Sequence, residues 1–316
     1  MIVSVINIVL QLMATILLAP LVTGVIKKIK AVSQHRIGAP VLQPYYDIFK
    51  LFRKDVVIPA CSSWIFRVAP YIYFLSALTA AVFIPAIRTF FSFSFLGDAI
   101  LAVYILAMGR FFLALAGLDA GSTFGGMGSS REMMISSLVE PALLVSFFSI
   151  GLNPAVGSTS FKVMYDYSVT LGAGILNPVH ILVFMALLII LLAETARIPV
   201  DDPATHLELT MVHEAMILDY SGHHLALIQL ASSVKQLVFI NLIVNLFIPF
   251  GNPGGGIEAV LLSLGLYVCK VIFTGALVGL IEINTVKLRL FSVPNLAALA
   301  FIFSMLAFMS GFVFGR

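Results

Sequence analysis

Long apolar stretches recur along the chain, separated by short polar ones. Eight runs stand out, at roughly 3–26, 68–87, 97–119, 131–152, 177–195, 223–249, 257–283 and 294–314. Each is long enough to cross a hydrocarbon core of about 30 Å as a helix. Lipid offers no partner for backbone N–H and C=O groups, so a lone spanning segment must satisfy them internally. The pattern predicts an all-α integral membrane protein of eight transmembrane helices, one domain over 1–316.

The intervals between the runs differ in kind. The first, about 27–67, contains SQHRIGAPVLQPYYDIFKLFRKDVVIP, in which Ile48, Phe49, Phe52 and Val56 recur at helical spacing from Tyr45 on. Asp47, Lys50, Arg53 and Lys54 lie among them. That is a short amphipathic helix suited to the membrane surface, with aliphatic Lys and Arg stems able to snorkel. The third interval, about 119–131, is a glycine-rich loop, GSTFGGMGSS. The fifth, 196–222, reads ARIPVDDPATHLELTMVHEAMILDYSG and is predicted to be partly helical. The seventh covers 283–293, and the outer stretch FGNPGGG at 250–256 is an uncharged turn.

Composition agrees with lipid as the solvent. Of 316 residues 60% are hydrophobic and 10% charged, and mean hydropathy is +1.08. A soluble domain would be near half apolar and about a quarter charged. Net charge is only +3, which carries no nucleic-acid signal; position matters more. Twelve Lys and Arg residues fall in the odd-numbered intervals and three (Arg88, Lys162 and Arg316) on the opposite side or at its terminus. By the positive-inside rule the odd intervals are cytoplasmic and both termini face out. The first run has no Lys or Arg before it and Lys27, Lys28 and Lys30 after it, the reverse of a secretory signal peptide. Two cysteines, Cys61 and Cys269, cannot build a four-cysteine metal or iron–sulfur site, and a disulfide between them stays open.

Several ionisable residues lie inside the runs, where each costs several kcal/mol unless paired or wet. Arg110 precedes Asp119 by nine residues and Glu140 follows Arg131 by nine, so both sit about 13 Å below the basic surface. They are candidates for an intramembrane pair, and Pro141 should loosen the helix beside Glu140. Lys235 lies about 18 Å into the sixth run. Lys270 falls mid-way along the seventh, and Glu194 and Glu282 at the basic ends of the fifth and seventh. Two readings stand: an ionisable path from the basic face toward mid-membrane, or pairs that only fix helices.

In the fifth interval, Asp202 before Pro203 is a helix start, and Thr205 with Glu208 makes a second capping box. His206, Thr210 and His213 share one face. The two histidines are about 10 Å apart along the axis, too far to share a metal. Glu194, Asp201, Asp202, Glu208, Glu214 and Asp219 exceed what capping requires, and read as a titratable lining or a docking face.

Three motifs in order, HRIGAP…Q…YYDIFKLFRKD…P, GSSREMMISSLVEP and AETARIPVDDPATHLELTMVHEAMILDYSG, resemble the eight-helix membrane subunit shared by respiratory complex I and the group 4 nickel–iron hydrogenases, formate hydrogenlyase included. Against the complex I pattern E-x-x-R-x-P-F-D-x-P-E-x-E-x-E-L, Glu194, Arg197, Pro199, Asp201, Pro203, Glu208 and Leu209 match. Ala204 and His206 replace two of its acids, and the run to Asp219–Gly222 is longer. These departures resemble the hydrogenase branch and weigh against a quinone substrate.

The resemblance implies a non-catalytic subunit of an oxidoreductase complex in a prokaryotic plasma membrane. It would dock the peripheral electron-transfer arm and begin a charged axis toward antiporter-like subunits that move H⁺ or Na⁺. Arg36, Asp47, Lys50, Lys54 and Arg131 would serve docking. Glu140, Glu194, Arg197, Asp201, Glu208, Asp219, Lys235 and Lys270 would serve the coupling axis, joined by Arg110, Glu214 and Glu282 from the reading of the runs. No cofactor is expected in this chain. The nickel–iron centre and iron–sulfur clusters belong to partners: hydrogenase large and small subunits and an iron–sulfur subunit. The rival readings are a quinone-chamber subunit of a complex I-type NADH:quinone oxidoreductase, a purely structural anchor, and a free-standing transporter.

Overall fold

The computed structural model describes residues 2–84, 97–153, 156–172, 177–201, 211–250 and 257–314. They form α1 (Ile2–Ser33), α2 (Gln43–Phe52), α3 (Trp64–Phe83), α4 (Asp98–Asp119), α5 (Thr123–Gly151), α6 (Phe161–Leu171), α7 (Pro178–Glu194), α8 (His213–Ile217), α9 (Gly222–Phe247), α10 (Ile257–Asn284) and α11 (Val293–Phe314). Seven described helices are long and apolar enough to cross a membrane, and α7 is a shorter apolar one of 17 residues. These eight are the eight apolar runs, and no strand occurs among the described residues. The chain is an all-α membrane protein.

The helices are not equally enclosed. In α9, 89% of the most apolar window is buried inside the chain, against 28% for α11 and 33% for α1 and α10. α9 is therefore the central post, packed by α1, α2, α3, α6, α7 and α10. Polar side chains on it, Lys235, Gln236 and Asn241, are consequently dry. Small residues let the neighbours close in, as they do between membrane helices generally. Ala69, Ala77, Ala80 and Ala81 are buried on α3. A Cβ on Gly109 of α4 would stand 1.9 Å from Ser76 Oγ of α3. Serines join α5 to α11, with Ser146 Oγ 2.8 Å from Ser304 Oγ.

Four boundaries differ from the sequence pattern. The predicted glycine-rich loop is helix from Thr123 onward, leaving only residues 120–122 as the turn. Ser122 caps α5 by accepting from Gly125 N at 3.1 Å. The glycines serve contact: a Cβ on Gly125 would lie 2.3 Å from Gly117 O, and one on Gly128 2.8 Å from Val212 O. α1 runs on to Ser33, carrying Lys27, Lys28 and Lys30 on its last turns. α2 begins at Gln43 with Pro44 in its first turn and stops before Val56. α3 starts four residues early, at Trp64, because Asp119 at the end of α4 accepts from Ser63 N at 2.8 Å and Phe66 N at 3.2 Å. The predicted helix start at Asp202–Pro203 lies outside the described residues, as do Thr205, His206, Glu208 and Thr210. α8 begins at His213.

Candidate functional site

Arg110 projects from α4 into the packed interior and is 5% exposed. A guanidinium there must be surrounded by acceptors, and three acidic side chains meet it. Its Nη2 lies 2.7 Å from Glu194 Oε1 and donates to Oε2 at 2.8 Å. Its Nη1 is 3.4 Å from Glu140 Oε1 on α5, and its Nε 3.9 Å from Glu132 Oε1 on the same helix. Lys235 of α9 reaches the same Glu194, Nζ to Oε2 2.7 Å. Four helices thus place three carboxylates against two cations. Glu194 has the driest side chain, 1% exposed, while that of Glu140 is 30% exposed. The pair predicted from equal depth, Arg110 and Glu140, is therefore in place, but Glu194 makes the shorter contacts.

A second group stands one residue further along α9. Gln236 Oε1 accepts from Arg197 Nη2 at 2.9 Å. Arg197 Nη1 lies 3.3 Å from Glu282 Oε1 on α10, and Lys30 Nζ of α1 lies 3.4 Å from Glu282 Oε2. Here two cations face one carboxylate. The first group has a carboxylate in excess, the second a cation. Lys235 and Gln236 are consecutive, so one turn of α9 carries the join between them.

Asp201 closes the edge beside this row. Its Oδ2 accepts from Val212 N at 3.0 Å and His213 N at 3.1 Å, which sets the start of α8, and Lys287 Nζ lies 3.2 Å from its Oδ1. Leu288 N donates to Pro199 O at 2.9 Å, binding the loop after α10 to the same segment. A cavity of about 380 Å³ opens between α1, α2, α9 and this segment, with Lys27, Asp47, Arg197, Asp201, His213 and Glu214 among its lining. Ile48, Leu51, Ile217 and Ile228 supply an apolar part.

Other sequence-predicted residues are placed elsewhere. Asp219 accepts from Ser122 Oγ at 2.5 Å and so buttresses the start of α5. Arg131 donates to Met211 O at 2.9 Å. Lys270 Nζ donates to Phe250 O, away from the row. Arg36 is exposed between α1 and α2; Asp47 accepts from Gln43 Nε2 at 2.8 Å, and Lys50 and Lys54 stand exposed on and just after α2. Glu208 lies outside the described residues. Four participants were not anticipated: Glu132, Lys30, Gln236 and Lys287. A helical signal existed for Glu132, since 132, 136 and 140 share a face once α5 starts at Thr123. Tyr73 is buried beside the row, its Cδ2 3.3 Å from where a Cβ of Gly109 would stand. Among the described residues no cluster of His, Cys, Asp and Glu is arranged to hold a metal, and both cysteines are free.

The NADH dehydrogenase family profile matches residues 6–312. The chain is similar to hydrogenase-4 component C of Escherichia coli K12, 34% identical over 95% of this chain and 93% of the relative. It is similar to formate hydrogenlyase subunit 4 of the same organism, 33% identical over 95% and 96%. A membrane component of the NADH-quinone oxidoreductase of Paraburkholderia xenovorans is 30% identical over 69% of this chain and 64% of that one. Among solved structures, a chain of the membrane-bound sulfane sulfur reductase, an archaeal respiratory membrane complex, superposes with a TM-score of 0.80 over 96% of this chain and 99% of its own, at 19% identity. That likeness is one of fold.

Proposed function

The chain belongs to the NADH dehydrogenase family, and on that premise we propose that it is the membrane-anchoring and coupling subunit of a group 4 nickel–iron hydrogenase complex. The hydrogenase relatives align over nearly their whole length, whereas the quinone-oxidoreductase relative aligns over 64% of its own. The basic face is cytoplasmic, with both termini outside, and takes the peripheral arm through Arg36 and its neighbours. The redox centres belong to partner subunits. This chain transmits their charge changes to antiporter-like subunits that move H⁺ or Na⁺.

One observation carries the coupling role: Glu194 is shared by Arg110 and Lys235 in a dry interior, next to a second group of opposite imbalance. A charge arriving beside the cavity acts first on Arg197 and Glu282, then through Gln236 and Lys235 on Glu194. Low local dielectric lets that influence persist where water would quench it. Glu140, partly exposed, is the member that exchanges a proton with the surroundings at the least desolvation cost.

The test is Glu140→Gln in everted membrane vesicles holding the whole complex. Dye-linked hydrogenase activity should persist while ion uptake driven by hydrogen evolution is lost. Normal uptake by the variant would remove the coupling role, and failure of the arm to assemble would favour a structural anchor.

A quinone-chamber role is the second reading, favoured by the cavity of about 380 Å³ with its isoleucine and leucine side. Quinone-dependent electron transfer by the purified complex would support it. Hydrogen evolution from formate or reduced ferredoxin supports the first.

A further inference from the structure

α2 presents aromatic side chains outward from the helical bundle. Tyr46 and Phe49 are each 62% exposed, and Phe52 is exposed beside them. Tyr45 turns the other way and donates to Leu17 O of α1, in the middle of that helix. α2 is thus sunk against α1 with one flank outward at a level where α1 is apolar. Arg53 stacks its guanidinium over Phe49, Cζ 4.7 Å from the ring centroid. An open hollow on this outer flank is lined by Tyr45, Tyr46, Phe49, Lys50, Arg53 and Lys54.

Lys50 and Lys54 line both this hollow and the inner cavity, and Lys27 of α1 lines the inner one. Among the described residues none of these three lysines has a carboxylate at ion-pair distance. Lys28 is engaged, donating to Ile37 O at 2.6 Å, and Lys30 pairs with Glu282. Asp47, the acid on α2, accepts from Gln43. A ridge of uncompensated cations therefore runs along the border between aromatic surface and polar cavity. Such a border matches an anionic amphiphile: negative headgroup on the ammonium groups, acyl chains along the aromatic flank.

We propose that α2, with Lys27, forms a binding site for a phospholipid bearing a net negative headgroup, of the phosphatidylglycerol type. Lys50 and Lys54 hold the phosphate, Arg53 keeps Phe49 flat against the chains, and Lys27 adds field from the cavity side. Lys50 and Lys54 are then lipid ligands and not contacts of the peripheral arm. The site stands apart from the coupling role and survives its failure.

The experiment titrates the purified complex, held in phosphatidylcholine nanodiscs, with dioctanoyl phosphatidylglycerol. Dioctanoyl phosphatidylcholine and glycerol phosphate are the comparison ligands. Phosphatidylglycerol should bind saturably, and Lys50→Gln with Lys54→Gln should weaken it about thirtyfold, the loss of two basic side chains near an anionic headgroup. The corresponding double arginine variant should bind as the parent does, which separates loss of charge from loss of fold. Neither comparison ligand should displace the lipid. Equal binding of both lipids, unchanged affinity in the glutamine variant, or displacement by glycerol phosphate alone would overturn the proposal. So would loss of the arm from the glutamine variant at unchanged lipid affinity.

Discussion

Replacing Glu194 by glutamine keeps the shape of the side chain and removes one charge. In the native chain that charge sits 2.7 Å from Arg110 Nη2 and 2.7 Å from Lys235 Nζ, with 1% of its side chain exposed. At an effective dielectric of about 20, each contact is worth roughly 6 kcal/mol before desolvation is subtracted. Glu194→Gln leaves Arg110 with Glu140 at 3.4 Å and Glu132 at 3.9 Å, so its charge remains covered. Lys235, 4% exposed, loses its carboxylate partner. Stranding one member of a buried pair costs about 3–5 kcal/mol. Lys235→Met alone strands less, because Glu194 keeps Arg110, and should cost about 1–3 kcal/mol. The double variant leaves no stranded cation, so its loss should fall short of the two single losses combined by about 2 kcal/mol or more. Unfolding midpoints of the purified chain in mild detergent, for the four members of the cycle, measure this. Additivity within about 0.5 kcal/mol would refute the shared carboxylate as the source of stability in the row.

Three further outcomes follow from the packing. Gly109→Ala puts a Cβ 1.9 Å from Ser76 Oγ and should lower stability by about 1–3 kcal/mol, with Ser76→Gly on the facing helix restoring much of it in the same melts. Asp119→Ala removes the acceptor of Ser63 N and Phe66 N; a loss of about 1–3 kcal/mol is expected, with amide exchange fastest at the start of α3. Tyr220, on the loop before α9, donates to Phe66 O at 2.9 Å, and burial, then the negative charge of Asp119, push its phenol above the ordinary tyrosine range. The folded pKa is raised, so its contribution is whole below about pH 10 and lost as pH rises through the folded value. In ultraviolet difference titration against Tyr220→Phe, one tyrosine should ionise late; ionisation at the ordinary pH would remove the prediction.

Sequence alone revealed the spans because twenty-odd apolar residues in water have no other stable use. It also placed Arg110 and Glu140 at one depth, since helical rise converts equal residue counts into equal distances. It could not show that Glu194 outranks Glu140 as the partner of Arg110, because that depends on α4, α7 and α9 converging. Lys235 and Lys270 make the point sharply: each is a lone lysine inside an apolar helix. The first lies on α9, 89% enclosed in its membrane window, and finds Glu194; the second lies on α10, 33% enclosed, and turns to a carbonyl in the next turn of chain. Composition is the same, and surroundings decide. The glycine-rich stretch read as a loop because glycine disfavours isolated helices; close packing against Gly117 and Val212 outweighs that preference here.

Lys235 and Gln236 leave α9 about 100° apart, one toward each polar group. Both are fixed to the same rod. Rolling that rod by a fraction of this angle shears both bonds in one motion, so neither group can be rearranged by the helix while the other stays still. The two halves of the charged interior therefore turn on a common shaft, as two cams do, and need no continuous file of proton carriers between them to feel one another.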